Sequence, residues 1–239
     1  MKKHRLYAVI SAMVMALALV LAGCQQPSSG GDSGSVAVDW SKAAVGYIVL
    51  TDGTFVSPDN FNTGMTAAAV IVRAKSEYKP ALGVGIHHNR TGLAWCTNDA
   101  NAYNVKITDL QSDNCKDGSD GWEKLKAACD DAGKGNDETL YPAWNFCNTY
   151  AATYGLTGDL ADGWYLPTVA ELETIDSKRS KINESLKTAG GNQFEKSYYW
   201  SCCQSFSDKY AYELYFGNGS TGDNNKYNDN YVCSVRAFN

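Results

Sequence analysis

The chain has 239 residues and carries 26 Asp and Glu against 21 Lys and Arg, a formal net charge of −5. No basic stripe is visible, which argues against nucleic acid or heparin-like polyanions as the main ligand. About 200 residues lie from Asp39 onward, enough for one well-buried domain and rather few for two. At the N-terminus, Lys2, Lys3 and Arg5 precede an apolar run over residues 6–20, then Leu21-Ala22-Gly23-Cys24. A short apolar run with that ending reads as an export signal, since a membrane-spanning helix needs about twenty uninterrupted apolar residues.

The Leu-Ala-Gly-Cys ending resembles a bacterial lipobox. The resemblance implies removal of residues 1–23 and acylation of Cys24, so the lipid bilayer becomes a partner through that residue. Several acyl chains on one residue anchor stably, at about 0.8 kcal/mol per buried methylene. Without Lys2, Lys3 and Arg5 the 21 basic residues fall to 18 against 26 acidic, a mature net charge of −8. Residues 24–38 then form a polar Gly- and Ser-rich tether, and residues 39–239 the folded domain. Gln25 rather than Asp follows the acylated position, which by resemblance to diderm lipoproteins implies the outer membrane and cell surface.

Seven of the eight cysteines remain after Cys24: Cys96, Cys115, Cys129, Cys147, Cys202, Cys203 and Cys233. Export permits disulfides, and the odd count leaves at least one thiol unpaired, with the connectivity open. No Cys-x-x-Cys spacing suggests zinc. His87 and His88 are adjacent, so on a strand they point to opposite faces and make poor joint ligands. Neither a metal nor another cofactor is expected.

In chain order, residues 46–50 predict a strand ending in a Thr51-Asp52-Gly53-Thr54 hairpin turn. Residues 67–72, 82–86 and 93–97 predict three more strands. Residues 98–121 are polar and acidic and read as a loop with little core content. Within it, Asp109, Asp113, Asp117 and Asp120 lack the EF-hand calcium spacing and read as solvated. Apolar residues at helical spacing predict helices over 122–132 and 141–154. Thr168 and Glu171 have capping-box spacing after Pro167, so a helix begins at Val169 and runs to about residue 175. A more polar helix over 177–187 ends at Gly190-Gly191. Strand segments follow at 198–203, 211–216 and 232–238, separated by a loop over 217–231. Alternation places Tyr212, Leu214 and Phe216 on a buried face, joined by Trp200 and Val235. Strands, then helices, then strands give an α+β domain.

Three motifs, Trp164-Tyr165-Leu166-Pro167-Thr168-x-x-Glu171-Leu172, Tyr199-Trp200-Ser201 and Val235-Arg236-Ala237-Phe238, fall in an order that resembles one family. It is the C-type-lectin-like fold of the formylglycine-generating-enzyme subtype, in particular the Lcl C-terminal domain group. Within it, the Asn- and Tyr-rich segment before Val232 resembles the variable lipoproteins of diversity-generating retroelements, such as those of treponemes. The resemblance implies a variable region over about residues 200–237, rewritten by error-prone copying of template adenines. Asn codons of the form AAC then become NNC, which can encode Asn, Asp, Ser, Tyr, Cys, Phe and Gly, among others, but never Gln, Glu, Lys, Met or Trp. Gln204, Lys209, Glu213 and Lys226 are therefore expected to be scaffold, or to come from AA-purine codons that risk stops. The expected ligand-binding positions are Cys203, Ser205, Ser207, Asp208, Tyr210, Tyr215, Asn218, Ser220, Asp223, Asn224, Asn225, Tyr227, Asn228, Asp229, Asn230 and Tyr231.

Tyr offers stiff amphipathic contact area, while Ser, Gly and Asn offer adaptable hydrogen bonding, a mixture suited to recognition of a protein or glycan. The same composition also suits a solvated hairpin loop. A fixed adhesin on the same fold is the alternative. Catalysis is not expected: Cys202 and Cys203 are adjacent and Cys233 is distant, so the paired thiols of the oxidase relatives are not reproduced. Cys203 reads as a sampled thiol rather than half of a vicinal switch, because no base or cation stands near it in sequence.

Overall fold

The β-branched residues after Gly46 form β1 (Ile48–Leu50), which turns into β2 (Phe55–Val56) as the Thr-Asp-Gly-Thr sequence predicts. Asp52 Oδ1 accepts from the Thr54 amide at 2.9 Å and its hydroxyl at 2.7 Å, and Gly53 takes the positive φ of 84° that the turn requires. The computed structural model describes residues 37–239, which form a single unit. The signal segment, Cys24 and the tether up to residue 36 lie outside the described residues. Val38, expected in the tether, already packs against the cluster around Trp40, so the folded part starts earlier than Asp39.

β3 (Ala67–Arg73) follows the expected segment. The two strands expected at 82–86 and 93–97 are one, β4 (Ala81–Ala94). Its pairing register shifts between Val84 and His88 and again between Asn89 and Leu93, so irregularities carry the polar stretch without ending the strand. His87 and His88 do face opposite ways: His87 stacks on Tyr154 at 4.1 Å, and buried His88 packs on Phe194 at 4.3 Å. Between them and the helices, Gly85 lets the Tyr150 ring rest on bare backbone, since a Cβ there would lie 2.3 Å from the ring. The Tyr150 hydroxyl accepts the His87 amide at 3.0 Å.

Residues 98–121 are irregular, with 3-10 turns at Asn101–Tyr103 and Thr108–Leu110, but they are not poor in core. Ala102, Ile107, Leu110 and Cys115 are buried, each an isolated apolar residue inside a polar run, which hid them from periodicity. Four helices follow: α1 (Gly121–Ala128), α2 (Asp137–Leu140), α3 (Pro142–Asn148) and α4 (Tyr150–Thr153). α1 ends before Cys129, four residues short of expectation, α2 was not anticipated, and the helix expected over 141–154 breaks at Thr149.

β5 (Trp164–Tyr165) leads through Pro167 into α5 (Val169–Asp176), whose capping box is complete. The Glu171 amide donates to Thr168 Oγ1 at 3.2 Å, and the Thr168 amide donates to Glu171 Oε2 at 2.9 Å, a motif worth about 1 kcal/mol. The Tyr165 hydroxyl donates to the other Glu171 oxygen, tying the helix start to β5. α6 (Arg179–Thr188) ends where Gly190 turns with φ of 71°.

β6 (Tyr198–Gln204), β7 (Tyr210–Tyr215), β8 (Ser220–Asn225) and β9 (Asp229–Phe238) complete the chain. β8 corrects the loop expected over 217–231. Among the described residues the sheet order is β2-β1-β3-β4-β9-β6-β7-β8, with β5 also pairing β9. The C-terminal strand therefore lies inside the sheet, antiparallel to β4 and β5 and parallel to β6 through Tyr199 and Tyr231. Leu172 of α5 and Ile182 and Leu186 of α6 cover one face through Val70, Val84, Leu214, Phe216 and Val235. α4 covers the other through Tyr150 against Ile71 and Trp164. A third cluster, around Trp95, Trp144 and Trp200, joins α1, α3 and the 98–121 segment to β6. The domain is α+β. Among the described residues no helix is long and apolar enough to cross a membrane.

Trp200 is thus not part of the Leu214 and Phe216 core, whereas Val235 is. Ala211 and Glu213, expected on the outer face of β7, are also buried, and Tyr212 only half so. Both faces of β7 are covered at this point, which defeats simple alternation.

Candidate functional site

The β7–β8 hairpin and the start of β9 form one rim of the domain, with β8 as the edge strand. Six residue pairs hold β8 to β7, from Tyr210 with Asn225 to Tyr215 with Ser220. An edge strand of Ser, Thr, Gly, Asp and Asn needs no core of its own, because its pairing with β7 satisfies one line of backbone groups.

Most of the expected contact positions fall on this rim. Ser207, Tyr210, Asn218, Ser220, Asp223, Tyr227, Asn228 and Asp229 are exposed, while Asp208, Tyr215, Asn224, Asn225 and Tyr231 are half-buried. Local hydrogen bonds stiffen the surface. Asn228 Nδ2 donates to Asn224 Oδ1 at 2.7 Å, and the Tyr227 amide donates to Asn225 Oδ1. Asn218 Oδ1 accepts the Ser220 amide at 3.0 Å and shapes the β7–β8 turn.

Three positions depart from expectation. Cys203 is buried and disulfide-bonded to Cys115, so it is neither a contact residue nor a sampled free thiol. Ser205 is buried and donates to Asp223 Oδ2 at 2.5 Å. Asn230 is buried and donates to Glu213 Oε2 at 2.6 Å. Codon arithmetic describes which residues can be written at a position, not which way the backbone points them.

The residues barred from the NNC set behave differently. Gln204 is fully buried and bridges three backbone groups: Oε1 accepts the Ile107 amide, and Nε2 donates to the carbonyls of Val105 and Asp208. Glu213 is buried beneath Asn230 and Asn224. Burial raises its carboxyl above the usual range, against the hydrogen bonds from Asn230 and Asn224, and Asp223 raises it further. Lys226 is fully buried, its Nζ donating to the Ala102 carbonyl at 2.6 Å over the Trp95 ring. Lys209 is the exception: it is exposed, with Nζ 5.6 Å from the centroid of Tyr103.

Sequence reasoning missed several neighbours of the rim. Tyr103 comes from the irregular 98–121 segment, stands 5.8 Å from the Tyr227 ring, and its hydroxyl accepts from Asn225 Nδ2. Nothing local marks it. Tyr198 is 44% exposed and packs on Tyr215 at 4.7 Å. Phe206, 71% exposed, belongs to the NNC set and could have been found by that rule. The exposed aromatics Tyr198, Phe206, Tyr210 and Tyr227 give this rim a concentration of large contact side chains.

Burial lowers the Lys226 ammonium to about 8, the thiols of Cys96 and Cys129 and the Asp208 carboxylate opposing. A lysine held below its unfolded value binds fewer protons in the fold than in the open chain between about pH 8 and 10.5. Stability carried by this residue therefore rises with pH across that window. The expected result is a wild-type unfolding free energy that climbs relative to Lys226→Met from about pH 8 to 10, measured by denaturant titration. A flat difference would remove the buried charge from the account.

Among the described residues that could ligate a metal, Cys115, Cys202 and Cys203 form a buried cluster, with all three sulfurs within 4.8 Å of one another. Burial pushes the Cys202 and Cys233 thiols well above the ordinary thiol range. Asp109, Asp113, Asp117 and Asp120 are all exposed, with Asp120 pairing with Lys124 at 2.7 Å and Asp117 Oδ1 accepting the Ser119 amide.

Residues 85–236 match the family model described as the Lcl C-terminal domain. Comparison with curated proteins finds no match. Among solved structures, the fold is similar to a fimbrial protein from Bacteroides ovatus, at a TM-score of 0.58 and 14% identity. That match covers 82% of this chain and 49% of the fimbrial chain, so this chain spans about half its length.

Proposed function

The chain belongs to the Lcl C-terminal domain family, and from that premise we propose that it is a lipid-anchored surface protein that binds a protein or glycan. The binding face is the rim formed by β7, β8 and the start of β9. The scaffold is read as C-type-lectin-like, of the formylglycine-generating-enzyme subtype. The contact positions are read as diversified, and the anchor as acylated Cys24.

One observation carries this reading. In the segment from Ser201 to Tyr231, Gln204, Glu213 and Lys226 are buried and hydrogen-bonded, and an NNC codon can encode none of them. Ser207, Tyr210, Asn218, Ser220, Tyr227 and Asn228 are exposed, and NNC can encode all of them; exposed Lys209 and buried Cys203, Ser205 and Asn230 are the exceptions. A surface that varies over a constant interior would sort in this way. The mature net charge of −8 favours neutral or basic ligand surfaces over sulfated glycans.

The test exchanges Tyr210, Asn218, Ser220, Tyr227 and Asn228 together for other NNC residues. Surface substitutions move stability by about 0.5 kcal/mol or less each. The melting temperature is expected to stay within a few degrees while binding in glycan and protein screens changes partner or disappears. Unfolding of the exchanged domain, or unaltered binding, would sink the reading.

The similarity to a fimbrial protein favours a second reading, a fixed adhesin on the same scaffold. The genomic DNA separates the two. Diversification requires a near-copy of the codons for residues 200–237 that differs only at adenines, and a fixed adhesin has none.

A further inference from the structure

Cys115 lies just before α1, and Cys202 and Cys203 are consecutive on β6. Consecutive residues of a regular strand point to opposite faces, which would carry one of these thiols away from Cys115. β6 is not regular here. Its register against β7 shifts between Trp200 and Gln204, the Cys202 amide donates to the Pro167 carbonyl, and the Cys203 amide donates to Ser201 Oγ. The bulge turns both side chains into the cluster around Trp95 and Trp144, where Cys115 also sits. Cys203 is bonded to Cys115, and Cys202 Sγ lies 3.4 Å from Cys115 Sγ.

We propose that Cys115 has two alternative disulfide partners, and that Cys202 and Cys203 exchange at it. Cys202 loses its proton and its thiolate attacks Cys115 Sγ. The Cys115–Cys202 bond forms as the Cys115–Cys203 bond breaks, and the departing electron pair stays on Cys203 Sγ, which takes up a proton. One disulfide and one thiol stand on each side of the step, so no oxidant or reductant is consumed. The two bonds close loops that differ by one residue in about 88, so their loop-closure contributions are nearly equal. Burial disfavours the Cys202 thiolate, which confines exchange to folding or to transient opening. Position 203 can therefore change residue without the domain losing its cross-link. This inference stands apart from the binding reading and survives its failure.

The test uses the full chain with Cys203→Ser, oxidised, alkylated without reductant and mapped by mass spectrometry. The expected result is a Cys115–Cys202 peptide, no alkylated Cys115, and a melting temperature close to wild type. Alkylated Cys115, or Cys115 paired elsewhere, overturns the proposal. Wild-type protein gives a readout that does not require the variant to fold. Incubated in a glutathione redox buffer, quenched in acid and mapped with fragment ions that separate the adjacent cysteines, it is expected to yield both pairings. A single Cys115–Cys203 species at every time point overturns the proposal as well.

Discussion

Replacing Trp200 by alanine is expected to lower the unfolding free energy by about 3–5 kcal/mol, the ordinary cost of emptying a fully buried aromatic site. Trp200 has no exposed surface, and its Nε1 donates to the Leu93 carbonyl at 2.8 Å. The residue therefore both fills the cluster around Trp95 and Trp144 and ties β6 to the far end of β4. Alanine leaves a cavity and an unpaired carbonyl, and two losses of this kind add. Trp200→Phe separates them, because it retains most of the ring volume and loses only the donor, so its cost is expected near about 1–2 kcal/mol. Denaturant titration of both variants gives the two values. A Trp200→Ala loss below about 1 kcal/mol would show that this cluster does not hold the rim. The contrast with the exposed rim positions is the useful part. Truncating a scaffold residue three positions from Cys203 is expected to cost several kcal/mol, while a set of rim exchanges is expected to cost little.

The elements that could be read from sequence are those whose cause is local. Thr168 and Glu171 cap α5 within four residues of each other, and Asp52 and Gly53 close the β1–β2 turn by themselves. The elements that escaped have causes elsewhere in the chain. β8 has the composition of a loop and becomes a strand because β7 offers it six partners. Ile107 and Leu110 look solvated within their polar segment and are buried because Gln204 and Cys203 anchor that segment from about 90 residues away. The site shows the same division. Codon arithmetic marked Gln204, Glu213 and Lys226, which are buried, and Lys209, which is exposed, as scaffold. It could not place Tyr103, nor show that Ser205 and Asn230 point inward to Asp223 and Glu213.

His88 carries the second large effect, an acid sensitivity of the fold itself. Its ring is fully buried against Phe194 and Tyr199, and neither ring nitrogen has a partner in good hydrogen-bond geometry. Burial lowers its pKa to about 3. The Gly85 carbonyl offsets this only in part, while Arg90 and His87 add to the depression. The unfolded chain takes up a proton near pH 6.5, and the fold refuses it down to about pH 3. Stability from this residue is therefore full above about pH 6.5 and is lost as pH falls toward the folded value. Between about pH 7 and pH 4 the loss is about 3 kcal/mol, at about 1.4 kcal/mol per pH unit. Half-buried His87, lowered by burial, adds a smaller loss of the same sign. Glu171, raised by burial, acts in the opposite direction, so the total profile does not isolate His88. Comparison with His88→Phe does. Phenylalanine fits the aromatic surroundings and cannot titrate, so the variant is expected to be steadier by about 3 kcal/mol over the same interval. Unfolding free energies of the two proteins at about pH 7, 5.5 and 4 decide the matter. Parallel profiles would mean that His88 finds a proton partner in solution or reaches water. A profile that flattens in the variant would identify one imidazole on β4 as the main source of the expected acid sensitivity.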